Sequence, residues 1–407
     1  MTRKSHHAQS HPFQSHRFSI SHLTALPTLA LNRLIAFSAG TFVGIFMPIF
    51  LFEMFDRNII PVLLFYAIDF GFKMPFFVPA AKLFSKIGLN KSMLIGTVGA
   101  AGFYGSFFLL EKGIPVHPFF ILAMAIIFLM VLSTMYWSPF HIDFAEFSDQ
   151  KKRGSQLGLF YAIQKVVGVI GPVAAGIVIA TAGYSTAFAV GMILVSLSAL
   201  PLLKLPTFKV TYEFGYIETF KKLFSKQYLP MSLSMMARGG ENMVGSVIWP
   251  IFLFTLFKGD YLEVGIVSGI IVVIALSLEL FVGKKSDTLK KASLLKWGTG
   301  IYALGWVSKA FVDSVVAVFV TSAFHNLGSI FMITPMDSMM YEQAADSGHY
   351  VDEYTVIREM ALSIGRVLML LLLVPVLFFA PLPVAFIVAA FTALGVNMLS
   401  KYHARSK

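Results

Sequence analysis

The chain of 407 residues contains no cysteine. Disulfides, thiolate nucleophiles and Cys-ligated zinc or iron–sulfur sites are therefore excluded. Charged side chains are also scarce, at 13% of the residues, whereas soluble globular proteins carry about 25%. Hydrophobic residues make up 57%. A chain with so little charge and so much apolar surface belongs in a lipid bilayer, and we expect an integral multi-pass membrane protein.

Two functional motifs are also missing from the sequence. It has no Gly-rich phosphate loop ending in Gly-Lys-Ser/Thr, so ATP is not the expected energy source. It has no paired aspartate motifs of the kind that would hold metal and pyrophosphate in a membrane transferase. We predict no cofactor, no metal and no enzyme activity. The net charge of +11 lies in short loops between apolar runs, so it indicates membrane topology rather than nucleic-acid binding.

Apolar stretches long enough to cross a hydrocarbon core, which takes about 20 helical residues, recur from Leu31 onward. They lack strand-like alternation, and backbone groups in lipid must be satisfied within the segment, so we expect helices. The prediction is an all-α polytopic protein with twelve transmembrane helices in two six-helix bundles. The predicted spans are 31–55, 59–83, 92–110, 117–140, 155–181 and 184–204, then 230–257, 262–283, 292–312, 315–340, 355–379 and 382–400.

The two halves of the chain share a repeated segment. Residues 48–55 (PIFLFEMF) match residues 250–257 (PIFLFTLF) at six of eight positions. Such an internal duplication is typical of transporters. Further colinear matches support it: Val43-Gly44 with Val244-Gly245, Ser85 with Ser286, Pro139 with Pro335, Glu146 with Glu342, and Gly171 with Gly365.

Basic residues predict the orientation, because cytoplasmic loops of helical membrane proteins carry the excess of Lys and Arg. They flank the first span and fill the loops that follow the even-numbered spans. Both termini are therefore predicted to be cytoplasmic, in a bacterial-type inner or plasma membrane. The predicted units are a disordered tail at 1–30, bundles at 31–204 and 230–400, a linker at 205–229 and a tail at 401–407.

The linker contains a candidate amphipathic helix within residues 216–226. Ile217, Phe220, Leu223 and Phe224 fall on one helical face, with charged side chains elsewhere. This pattern predicts a helix that lies in the membrane interface and joins the two halves. Docking of a partner is the alternative interpretation.

A loop motif gives the sequence a family resemblance. The segment Gly283-Lys284-Lys285-Ser286-Asp287, followed by Lys290-Lys291, lies between the predicted eighth and ninth spans. Its first-half counterpart keeps Lys86 and Gly88 but has Ser85 in the aspartate position. With twelve spans, the duplication and the basic linker, the chain resembles the major facilitator superfamily, whose loop reads Gly-x-x-x-Asp-Arg-x-Gly before two basic residues. That resemblance implies two bundles that rock about a midplane site, with Asp287 in a gating contact; a helix-capping aspartate is the alternative.

The fifth span contains a second motif. Gly171-Pro172, with Gly176 four residues later, is similar to the Gly-Pro motif of the family's antiporters. Proline bends a membrane helix, and small neighbours allow close helix contact. The resemblance implies antiport, and generic helix packing is the alternative interpretation of the same residues.

Ionisable residues within apolar spans are functional candidates by default. Asp69 and Lys73 lie four residues apart on one face of the second span, where they can neutralise each other. The seventh span opens with Arg238-Gly239-Gly240-Glu241-Asn242, and we expect the two glycines to loosen the helix beside a substrate site. Structural ion pairs and helix-end anchors are the alternatives. The remaining candidates for substrate or coupling-ion contacts are Tyr161, Gln164, Lys165, Glu279, His325, Arg358, Glu359 and Arg366.

These features predict a secondary active transporter that moves a small molecule by alternating access. Protons are the predicted coupling ion, and efflux by antiport is one possible direction. The expected partners are the substrate, protons and the bilayer, without nucleic acid, and the chain is expected to be a monomer. Two other classes stay open: a polytopic membrane enzyme acting on lipid-like substrates, and a non-transporting receptor or scaffold that has the fold of the major facilitator superfamily.

Overall fold

The computed structural model describes residues 20–147, 153–206, 210–286, 290–346 and 351–403, and helices form nearly all of these ranges. No β-strand occurs within these ranges, so the all-α prediction is confirmed. The first half contains α1 (Ile20–Gly44), α2 (Phe46–Met54), α3 (Ile59–Lys73), α4 (Phe77–Ile87), α5 (Leu89–Glu111), α6 (Pro118–Met135), α7 (Trp137–Phe147), α8 (Arg153–Leu197) and α9 (Ala199–Leu202). The linker and second half contain α10 (Tyr216–Leu223), α11 (Leu229–Met243), α12 (Trp249–Leu256), α13 (Tyr261–Ser286), α14 (Lys291–Lys309), α15 (Val315–Asp346), α16 (Val351–Phe379), α17 (Val384–Leu394) and α18 (Met398–His403).

Eight helical stretches of the described chain are long and apolar enough to cross a membrane. One of them, Ile163–Leu202, contains Gly183 with a φ of 78°, so it covers the predicted fifth and sixth spans. The predicted seventh span is divided between α11 and α12 by a π-helical turn, Val244–Ile248. The protein is thus an integral multi-pass membrane protein, and the number twelve stays a prediction.

The duplicated segments occupy equivalent places in the two halves. Residues 48–55 form most of α2 and residues 250–257 most of α12. Each copy is followed by two consecutive residues in the left-handed region, namely Asp56 (φ 53°) and Arg57 (61°), then Lys258 (52°) and Gly259 (91°). Non-glycine residues rarely adopt positive φ. A shared unusual turn at the same offset from the repeat therefore supports the duplication inferred from sequence.

The first helix begins earlier than predicted. We expected a disordered tail to run to residue 30, but α1 starts at Ile20. Ala25 and Leu29 are buried, and they pack in a cluster with Phe144 and Leu202. Apolar residues at helical spacing thus hold the end of this segment against the bundle. The rest of the predicted tail lies outside the described residues.

The helices pack within each half and also join the two halves. Helix α1 packs on α8 and α5 on α6, while α11 packs on α16 and α14 on α15. The halves meet along two helix pairs, α8 with α13 and α3 with α16. We call the end that carries the linker the linker side. The opposite end, where the loops after α2 and α12 lie, is called the rim side.

The linker helix packs on the protein through one face and leaves two of its apolar side chains exposed. Leu223 is fully buried, but Ile217 and Phe224 are 67% and 57% exposed. Thr219 takes part in the buried face instead, where its hydroxyl is 2.9 Å from the Tyr212 hydroxyl. A polar residue can be buried there because it has a hydrogen-bond partner. The predicted helix is present, with Ile217 and Phe224 exposed as a face in the membrane interface requires, and its place in that interface stays a prediction.

Candidate functional site

A buried ion pair lies in the last turns of α3. The Lys73 ammonium donates to Asp69 Oδ2 at 2.9 Å, and the two residues are 4% and 0% exposed. Their i, i+4 spacing places both side chains on one helical face. The second oxygen, Asp69 Oδ1, is buried and has no hydrogen-bond partner in the described part of the chain. Lys73 also lies 3.4 Å from the Ser133 hydroxyl on α6, so this cation links two helices of the first half.

Arg366 of α16 joins this pair from the second half. Its guanidinium carbon lies 4.7 Å from the centroid of the Phe70 ring, and the Lys73 ammonium lies 3.7 Å from the same ring. Arg366 interacts electrostatically with both Asp69 and Glu359. The Nε atom of Arg366 is buried and has no hydrogen-bond partner among the residues that the structure describes. Charged candidates that the sequence placed in the second and eleventh spans therefore meet at the α3–α16 contact between the halves.

A second ion pair crosses the other contact between the halves. Lys165 on α8 and Glu279 on α13 form a salt bridge, and their side chains are 31% and 43% exposed. The sequence marked both residues as candidates but gave no reason to pair them, since they lie in different spans. Gln164, the neighbour of Lys165, is buried, and the Tyr161 side chain lies outside the described residues.

Reversal of one of these charges is expected to destabilise the contact between the halves. Lys165→Glu would place two carboxylates together, and Lys165→Glu with Glu279→Lys would restore opposite charges. Because the pair is partly exposed, we expect a coupling energy of only about 1 kcal/mol. A thermal-unfolding double-mutant cycle on the purified protein measures it. A coupling energy of zero would show that the pair does not hold the halves together.

The Gly-Pro motif of α8 lies at helix crossings. A Cβ on Gly176 would lie 2.7 Å from the Tyr261 carbonyl oxygen of α13, and one on Gly265 would lie 2.6 Å from the Pro172 carbonyl oxygen. Gly171 is equally close to Thr41 on α1. Small residues thus let backbones approach closely, as helix packing in membranes favours. The geometry supports the packing interpretation of this motif.

A polar cluster inside the second half surrounds Glu241 of α11. This carboxylate is fully buried, pairs with Arg238, and accepts a hydrogen bond of 2.8 Å from the Tyr302 hydroxyl of α14. The π-helical turn at Val244–Ile248 begins three residues later. Single π turns within α-helices occur frequently at functional sites. Asn242, between the carboxylate and the turn, is half-buried.

The two glycines of α11 do not loosen the helix, which is regular through Met243. A Cβ on Gly239 would lie 2.2 Å from the Leu362 carbonyl oxygen, and one on Gly240 would lie 3.2 Å from the Gly365 carbonyl oxygen. Both glycines therefore serve close packing of α11 on α16. The expectation that the glycines loosen the helix was wrong. It considered only the flexibility of glycine and not the α16 backbone that packs against both residues. The irregular turn lies just beyond them.

Aromatic rings contact the side chains of His325 and Lys309 beside this cluster. The His325 ring lies 4.2 Å from the Tyr302 ring and 4.6 Å from the Trp306 ring. The Lys309 ammonium lies 4.2 Å from the Trp249 ring and 4.6 Å from the Trp306 ring. Sequence reasoning missed Lys309, although a lysine within the predicted ninth span was a sufficient signal.

The remaining charged candidates lie near the linker side. Arg358 donates to Glu359 of the same helix at 3.1 Å. Gly88, between α4 and α5, has a φ of 91°, a conformation that favours glycine. Lys86 and Lys290 are exposed, Lys291 is half-buried, and Gly283 lies within α13. Asp287, the proposed gating aspartate, lies outside the described residues.

A contact on the rim side also joins the halves. Glu53, at the end of α2, accepts hydrogen bonds from the Tyr261 hydroxyl of α13 at 2.7 and 2.9 Å. The Tyr184 hydroxyl donates to the same carboxylate at 3.3 Å. In the sequence, Glu53 stood out only as the position where the repeat has Thr255 in its second copy. The tyrosines carried no signal, because each is distant along the chain.

Comparison with known proteins identifies the family to which this architecture belongs. A sequence profile described as Major Facilitator Superfamily matches residues 29–368. The chain belongs to the Major Facilitator Superfamily. Two solved structures share the fold of this superfamily member: a POT family transporter in complex with a thioalcohol-conjugated peptide, and a POT family transporter in complex with 5-aminolevulinic acid. Their TM-scores are 0.69 and 0.67, each at 12% sequence identity over 94% of this chain and 96% of the other. No curated protein matches the sequence.

Membership of the superfamily separates two of the classes that the sequence left open, the transporter and the enzyme, whereas a receptor or scaffold with the same fold stays an alternative. At the level of the family, the chain is a membrane transporter rather than an enzyme. The resemblance found in the loop motif and the duplication is therefore confirmed. The charged contacts at α3–α16 and α8–α13 lie where the two halves of this transporter meet.

Proposed function

We propose that the protein is a proton-coupled secondary active transporter in which Asp69 takes up the proton. The observation that supports this most strongly is the state of that carboxylate. It is fully buried, one oxygen accepts from Lys73, and the other oxygen has no hydrogen-bond partner. A buried carboxylate with a free oxygen, at the contact between the halves, is a suitable acceptor for a transported proton.

Protonation of Asp69 would change the balance of charge at the α3–α16 contact. With the carboxylate ionised, it offsets the positive charges of Lys73 and Arg366, with which it interacts. With the carboxylate neutral, two like charges from opposite halves face each other with less compensation. Like charges in a poorly solvated place repel. Proton uptake would therefore favour an arrangement in which α3 and α16 separate, which biases one access state.

We assign substrate contacts to the centre of the second half, beside the π-helical turn. Arg238 is 20% exposed while its partner Glu241 is almost fully buried, so the guanidinium can meet a small molecule from a fixed position. The POT family neighbours hold a thioalcohol-conjugated peptide and 5-aminolevulinic acid. These two ligands are the first compounds to test, as small molecules with both polar and charged groups.

The orientation follows from the basic loops. We place the linker side in the cytoplasm, because Lys and Arg concentrate in the loops of that side. The protein is proposed to work as a monomer in which the two halves move around the charged contacts. Exchange of substrate for protons, or uptake with protons, are the two directions to be separated by experiment.

Flux in proteoliposomes tests the proposal. Purified protein is reconstituted, a pH gradient is imposed, and uptake of each candidate compound and the internal pH are followed together. We expect accumulation that depends on the gradient and stops when an ionophore collapses it. Substrate movement in the direction opposite to the protons would identify an antiporter. Equal uptake with and without the gradient would overturn proton coupling.

A further inference from the structure

Two consecutive backbone amides of the linker are bonded to different halves of the protein. The N–H of Tyr212 donates to the Ser85 hydroxyl at 3.3 Å, near the end of α4 in the first half. The N–H of Glu213 donates to Glu353 Oε1 at 2.7 Å, near the start of α16 in the second half. Adjacent amides are only a few ångströms apart. The two acceptors, and the helices that carry them, are therefore held close together on the linker side.

The linker around these amides is embedded in the protein rather than loosely attached. Tyr212 and Phe214 are 7% and 6% exposed. Burial raises the pKa of the Tyr212 hydroxyl above its ordinary value, so this hydroxyl stays protonated beside Thr219. At the end of α10, the Leu223 carbonyl accepts from the Ser232 hydroxyl of α11 at 2.7 Å. The second half thus anchors the linker on both sides of its helix.

One of the two acceptors, Ser85, lies in the loop motif that the sequence compared with the family. It occupies the place where the loop motif of the family has an aspartate, and a serine cannot supply that charge. Its hydroxyl donates to the Ala81 carbonyl at 2.8 Å and accepts from the linker amide. In the sequence, Ser85 indicated only the loss of a gating aspartate. In the structure, its hydroxyl accepts a hydrogen bond from the linker that joins the halves.

We propose that residues 210–215 form a strap that restrains opening of the linker side. Separation of α4 from α16 must break the bond to Ser85 or the bond to Glu353, because the amides that make them are neighbours. The bond to Glu353 is the stronger restraint, since hydrogen bonds to charged groups exceed those to neutral ones. The strap rests on the alternating access of the proposed function, but it makes no assumption about substrate or coupling ion.

The matched pair Glu213→Pro and Glu213→Ala isolates the strap. Proline removes the N–H that Glu353 accepts, and alanine keeps it, while both remove the exposed Glu213 side chain. Residues 210–213 have no regular secondary structure, and Glu213 is not among the residues with positive φ. Neither fact opposes proline, which favours an extended residue before it, and elution of Glu213→Pro as a single folded species checks that the position accepts it. Ser85→Ala removes the acceptor on the other half.

The absence of cysteine allows distances to be measured with few changes to the chain. Spin labels at Lys82→Cys and Ser293→Cys, both exposed, report the separation of the halves on the linker side. Labels at Lys112→Cys and Asp313→Cys, also exposed, report the rim side. Double electron–electron resonance on the labelled protein in nanodiscs then gives the populations of short and long distances between the labels. We expect Glu213→Pro to raise the long-distance population on the linker side about tenfold relative to Glu213→Ala, and Ser85→Ala to raise it less.

Equal distance distributions for Glu213→Pro and Glu213→Ala, in protein that elutes as a single folded species, would overturn the strap. A widened linker side with unchanged flux dependence on pH would keep the strap and leave proton coupling intact. A widened linker side in a protein that shows no gradient-dependent flux would keep the strap and reject the proposed coupling. The two proposals therefore fail on different measurements.

Discussion

Asp69→Asn is expected to reduce substrate accumulation driven by a pH gradient to the level of protein-free liposomes. Asparagine has nearly the same shape as aspartate but can neither carry the charge nor take up a proton. In the variant, no group that can take up a proton would remain at position 69, where Asp69 interacts with Lys73 and Arg366. Exchange of labelled for unlabelled substrate, which needs no net proton movement, should continue. Accumulation and exchange measured on the same proteoliposomes separate the two.

This substitution also has a structural effect, and a double variant separates it from the coupling effect. Asp69→Asn leaves the Lys73 charge buried without its acid, and breaking a buried pair in this way costs about 3–5 kcal/mol. Asp69→Asn with Lys73→Gln removes both charges and should recover much of the thermal stability. It should not recover gradient-driven accumulation, because no proton acceptor has been returned.

The outcome that contradicts the proposal is clear in this design. If the neutral double variant accumulates substrate in response to the pH gradient as well as the parent does, Asp69 and Lys73 serve only as a structural pair. Ser133→Ala is the matched control on the same contact, since it removes a long hydrogen bond of 3.4 Å to Lys73 and leaves both charges in place. It should change accumulation little.

The architecture was predictable because the sequence repeats it. The copies at 48–55 and 250–257 lie in α2 and α12, and the paired positions Gly171 and Gly365 have equivalent neighbours. Gly171 packs α8 against α1, and Gly365 packs α16 against α11. Duplicated sequence thus gives duplicated packing. Hydropathy was sufficient for the helices, since lipid leaves the backbone few other ways to satisfy its polar groups.

Contacts between the halves were not predictable, because they join residues that no periodicity relates. The Tyr261 hydroxyl and Glu53 are 208 positions apart, and the strap amide of Glu213 is 140 positions from Glu353. Local spacing found the pair in α3, since both members lie on one helix. It could not find that Lys165 meets Glu279. The candidate residues were visible as charges in apolar spans, but their partners required the fold.

Gly365→Ala is expected to be the most damaging single-methyl change in the second half. A Cβ at this position would lie 1.9 Å from the Met236 carbonyl oxygen and 2.5 Å from its carbonyl carbon. Those atoms are backbone, so the clash can be relieved only by moving α11 away from α16, and Arg238 and Glu241 move with α11. Overpacking costs about 1–3 kcal/mol and sometimes more. We expect the upper end, with a fall in Tm of roughly 3–4 °C for a chain of this length.

Gly300→Ala is the matched control, because it makes the same change within a helix where no atom lies within 4 Å of the added methyl group. Alanine is favoured over glycine in helices by about 1 kcal/mol, so this variant should be as stable as the parent or slightly more so. Thermal unfolding of both variants in detergent, followed by size-exclusion chromatography, gives the comparison. If Gly365→Ala and Gly300→Ala unfold at the same temperature, the close approach of α11 and α16 does not hold the Glu241 cluster in place. If Gly365→Ala unfolds earlier, substrate binding to the folded fraction should weaken as well, since the shift of α11 carries Arg238 out of position.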